Sequence, residues 1–69
     1  MYIDQNSYFD AGQAASLLKF SLVSGWQREA RNQARAAMRL NAKNRAAFLI
    51  ECKRQGIKMQ YILKLLGII

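Results

Sequence analysis

Proline and histidine are absent from these 69 residues, and cysteine occurs once, at Cys52. Each absence removes a class of chemistry or architecture. Without histidine, the side chain most used as general base and metal ligand is missing. One thiol cannot close a disulfide within the chain or build a cysteine-rich zinc site, and a free cysteine suits a reducing compartment. Acidic residues are also scarce: Asp4, Asp10, Glu29 and Glu51 are scattered and form no acid/base pair. No apolar run approaches the roughly 18 residues that span a bilayer. The start, Met1-Tyr2-Ile3-Asp4, lacks the basic and apolar regions of a secretion signal. The sequence therefore predicts a cytoplasmic protein that is not an enzyme and uses neither metal nor cofactor.

What is present is positive charge and apolar surface. Eleven Lys/Arg against four Asp/Glu leave a net charge of +7, and hydrophobic residues make up 52% of the chain. Such a charge attracts nucleic acid, anionic membrane or acidic protein surfaces. A chain this short has room for one domain, and a core of that size contributes only about 3–5 kcal/mol without a staple. The surplus apolar residues then predict burial against a second copy, most simply in a two-fold dimer.

Good helix formers dominate, and alternation typical of strands is missing beyond the first nine residues. The expected fold is all-α, a small helical bundle or helical hairpin of three to four helices completed by homodimerisation. Residues 1–9 read as an N-terminal arm whose Tyr2, Ile3, Tyr8 and Phe9 either pack back on the helices or reach a partner. Residues 10–69 read as a single helical domain. Asp10 followed by Gln13 predicts a capping box opening a helix from Ala11 to Val23. Ser24-Gly25 ends or kinks it, the alternative being one continuous helix of about thirty residues. A second segment runs from Trp26 to Leu40. A turn follows at 41–44, with Asn44 as the cap of a third helix reaching Gln55. Gly56 is expected in a left-handed conformation, and an apolar segment runs from Ile57 to Ile69.

The strongest pattern is Arg28, Arg31, Arg35 and Arg39 with Lys43. On one helix these five cations fall within an arc of roughly 120°. Arginine grips phosphate bidentately and stacks on bases, so the stripe, with Asn32 beside it, predicts a binding face for DNA, RNA or an acidic protein. On the other side lie Trp26, Ala30, Ala34 and Ala37, whose small side chains suit close helix approach. With Tyr61, Ile62, Leu65, Leu66 and Ile69 they form the expected oligomer or partner interface. The leading functional expectation is a regulatory nucleic-acid-binding protein. The alternative is an inhibitor or adaptor docking on an acidic or apolar face of a host protein. A third is a membrane-surface peptide built on residues 57–69, where Lys58 and Lys64 make a weak polar face.

Two stretches resemble parts of a helix-turn-helix. In the first, Gln13-Ala14-Ala15 through Val23-Ser24-Gly25-Trp26, the spacing is about two residues too short. In the second, Gly56-Ile57 through Leu65-Leu66-Gly67-Ile68, the resemblance is to the first helix and turn, with no recognition helix after it. Neither is read as the motif, and no family is suggested.

Overall fold

The computed structural model describes residues 9–69, which form four helices: α1 Ala11–Val23, α2 Gln27–Met38, α3 Ala42–Arg54 and α4 Met59–Leu66. No strand occurs among the described residues. Residues 1–8 of the arm expected at 1–9 lie outside them, while Phe9 is half-buried against the core.

Local chemistry sets the boundaries. The Asp10 side chain accepts a hydrogen bond from the Gln13 N–H at 3.1 Å, which satisfies one of the orphan donors opening α1. At the other end Gly25 takes φ 77°. Its N–H donates to the Leu22 carbonyl at 3.2 Å, and the Trp26 N–H donates to Ser21 at 2.9 Å. These two bonds close a Schellman turn, so the chain reverses at residues 24–26 and the thirty-residue helix does not form.

α2 ends without a glycine. The Arg39 and Leu40 N–H groups fold back on the Ala36 and Ala37 carbonyls at 3.1 and 3.2 Å, tightening the last turn. The cap of α3 is Asn41 rather than Asn44: its side chain accepts from the Asn44 N–H at 2.8 Å. Both asparagines can cap, but Ala42 and Lys43 between them are good helix formers. The earlier start therefore gains helical hydrogen bonds that the later one forgoes.

The core draws on every helix. Ala15, Leu18 and Ser21 of α1 meet Ala30, Ala34 and Ala37 of α2, Phe48 and Cys52 of α3, and Ile62 and Leu65 of α4, with Ile57 from the last connection. α1 packs on α3 and α2, and α4 lies on α2. The Gln55 side chain bridges α3 to the start of α1, donating to the Gly12 carbonyl at 3.1 Å and accepting from the Ser16 hydroxyl at 3.0 Å.

This arrangement corrects the expected interface. Ala30 and Ala34 are fully buried, Ala37 nearly so, and Ile62 and Leu65 are closed off as well, all within one chain. Small residues that let helices approach closely have been used between α2 and its own neighbours. They are not available to a second copy.

Candidate nucleic-acid interface

α2 separates its residue types by face. The alanines at 30, 34 and 37 point into the core, while Arg28, Arg31, Asn32, Arg35 and Arg39 are exposed. At 100° per residue the exposed set covers an arc of roughly 100° opposite the alanines. From Arg28 to Arg39 the axis rises about 16 Å at 1.5 Å per residue.

Among the described residues little neutralises this flank. Among the described residues the ion pair is Arg54–Glu51, at 2.9 Å, and none involves an arginine of α2. Glu29 sits on the side of the helix, where its carboxylate accepts a long hydrogen bond of 3.4 Å from the Gln33 amide. It also lies in the first turn, where a negative charge complements the helix dipole.

Lys43 does not extend the stripe. The chain turns at residues 39–41, so Lys43 is the second residue of α3. The rod expected over residues 28–43 is broken there, and the aligned flank ends at Arg39.

A second basic group comes from two elements. Lys53 and Arg54 close α3, Lys58 opens α4, and Lys64 lies on its outer face, all exposed. In the sequence these residues read only as partners of a helix dipole or as the edge of an apolar segment. Lys53 and Lys58 line one cleft between α3 and α4, a proximity that depends on how that connection folds and that periodicity does not report.

Of the expected interface residues, Trp26, Tyr61 and Ile69 remain exposed, and Leu66 is half-buried. Phe20 and Val23 of α1 are exposed too, although the sequence did not single them out. The Phe20 and Trp26 rings meet edge to face with centroids 5.4 Å apart, a favourable aromatic arrangement at the surface.

Cys52 is buried, and its thiol pKa is pushed up to about 11, first by burial and then by the neighbouring Glu51 carboxylate. It is therefore a protonated packing group at neutral pH. Among the described residues no three His, Cys, Asp or Glu side chains gather into a metal site, and no helix is long and apolar enough to cross a membrane. No protein-family model, curated protein or solved structure matches the chain.

Proposed function

We propose that this is a small, non-enzymatic nucleic-acid-binding protein whose α2 arginine flank grips the phosphate backbone. The observation that carries the reading is the alignment of Arg28, Arg31, Arg35 and Arg39 on one exposed face with no ion pair to any of them among the described residues. Like charges this close repel by a few tenths of a kcal/mol per pair, and a polyanion removes that cost. Along one DNA strand, about 16 Å of axis covers roughly five phosphates. The flank thus matches a short stretch of backbone in length and sign.

We further propose that two copies associate through the apolar side chains left at the surface around Phe20, Val23 and Tyr61. Fluorescence anisotropy with a labelled duplex and a labelled single-stranded RNA tests the main reading. The wild type binds at least one of them at low salt, and R31E combined with R35E abolishes that binding. Wild-type binding that the double substitution leaves intact would remove the arginine flank from the mechanism.

A second reading is supported by Trp26, which stands half-exposed at the head of α2 as an aromatic anchor for a protein surface. There the same arginines meet an acidic protein. A complex captured from nuclease-treated lysate, and lost with R31E/R35E, would favour it over the first.

A further inference from the structure

We propose that α3, the connection at residues 55–58 and α4 form a helix-turn-helix, with α4 presenting Gln60 and Lys64 to the major groove of duplex DNA and Lys58 standing at its N-terminal end. This rests on the nucleic-acid reading above and deepens it, from backbone binding to base recognition.

The turn itself is the first observation. α3 closes with Gly56 at φ 87°, whose N–H donates to the Lys53 carbonyl at 3.1 Å, while the Ile57 N–H donates to Cys52 at 2.8 Å. The same hydrogen-bond pattern ends α1, but the residue after the glycine behaves differently. Trp26 is 54% exposed, whereas Ile57 is 6% exposed. The second connection therefore dips into the core, runs extended through Lys58 at ψ 142°, and restarts as α4 at Met59.

The consequence is a change of direction. α1 and α2 pack along each other, whereas α4 lies against α2 rather than alongside α3. Two helices joined by a short, glycine-bearing turn and splayed in this way are the elements of the DNA-binding motif. Cys52, small and fully buried, sits one turn before the glycine, and Ile62 and Leu65 hold α4 down from the other side.

The outer face of α4 follows from that anchoring. With Ile62 and Leu65 pointing inward, Gln60 and Lys64 point to solvent, beside half-buried Leu63. Lys58 precedes them, and no side chain caps the first turn. Lys53 adds positive charge at the end of α3, where Arg54 is paired with Glu51. Eight residues make a helix about 12 Å long, short enough to seat in a groove about 12 Å wide. Glutamine pairs with adenine and lysine with guanine on the major-groove edge. Duplex DNA therefore fits this face in charge, dimension and donor chemistry. The α2 flank is a separate surface, so substitutions address the two one at a time.

Selection from a pool of duplexes with a randomised centre tests the inference, using the full chain. The wild type should enrich a short consensus, and methylation at guanine N7 within that consensus should block binding. Q60A and K64A, both at exposed positions and checked for unchanged helicity, should each lower the preference for consensus over pool by roughly fivefold or more. R31E/R35E should weaken consensus and pool by the same factor. Wild-type binding to the pool without enrichment overturns this inference and leaves the arginine reading standing. So does an enriched preference unaffected by Q60A and K64A. Failure to bind any nucleic acid sinks both.

Discussion

α2 and α4 lie against each other and share one core, yet they are held there by opposite means. α2 contributes three alanines, each burying little more than a methyl group, worth about 0.8 kcal/mol apiece. α4 contributes Ile62 and Leu65, each worth about 1.5–3 kcal/mol when fully buried. α4 is anchored by area, α2 by closeness of approach. α2 and its C-cap Arg39 in turn carry four exposed arginines, which oppose helix formation through mutual repulsion. Among the described residues no ion pair uses that charged flank.

That contrast can be broken in four ways, in falling order of effect. Ile62→Ala should destabilise the fold by about 2–5 kcal/mol in chemical denaturation, since α4 loses half of its anchor. A loss below 1 kcal/mol would mean that α4 is held elsewhere. At α2 the sign of the size change reverses. Ala34→Leu should cost about 1–3 kcal/mol by forcing packed helices apart, where the same change at an exposed helix position would be nearly neutral. Gly56→Ala should cost about 1–2 kcal/mol, because an L side chain resists φ 87°, even though the added methyl meets open space. The smallest effect has the most informative sign. Arg35→Ala should raise stability at low salt by a few tenths of a kcal/mol while weakening nucleic-acid binding. Loss of stability would show that Arg35 has a structural role.

Much of this organisation was legible from residues alone. The Asp10 cap, the left-handed Gly56 and the opposition of arginines to alanines follow from local chemistry, whereas Ser24-Gly25 left a break and one continuous helix both open. Three features did not, for identifiable reasons. Two asparagines three residues apart offer competing caps, and the four-residue spacing alone set Lys43 on the arginine stripe across the turn. A row of alanines reports that a face is apolar and narrow, but not whether its neighbour is the same chain or another. Ile57 opens a largely apolar stretch and so reads as the start of a helix, whereas it is the plug of a turn. That shift of phase set Ile57 at the start of the last helix instead of in the turn before it.

The central claim is that the aligned arginines of α2 form the anion-binding surface, and the salt dependence of duplex affinity tests it most directly. For four phosphate contacts, log K against log salt should have a slope of about −3.6, and Arg35→Ala should reduce it by about 0.9. A flat salt response, or a slope unchanged when Arg35 is removed, would contradict the account.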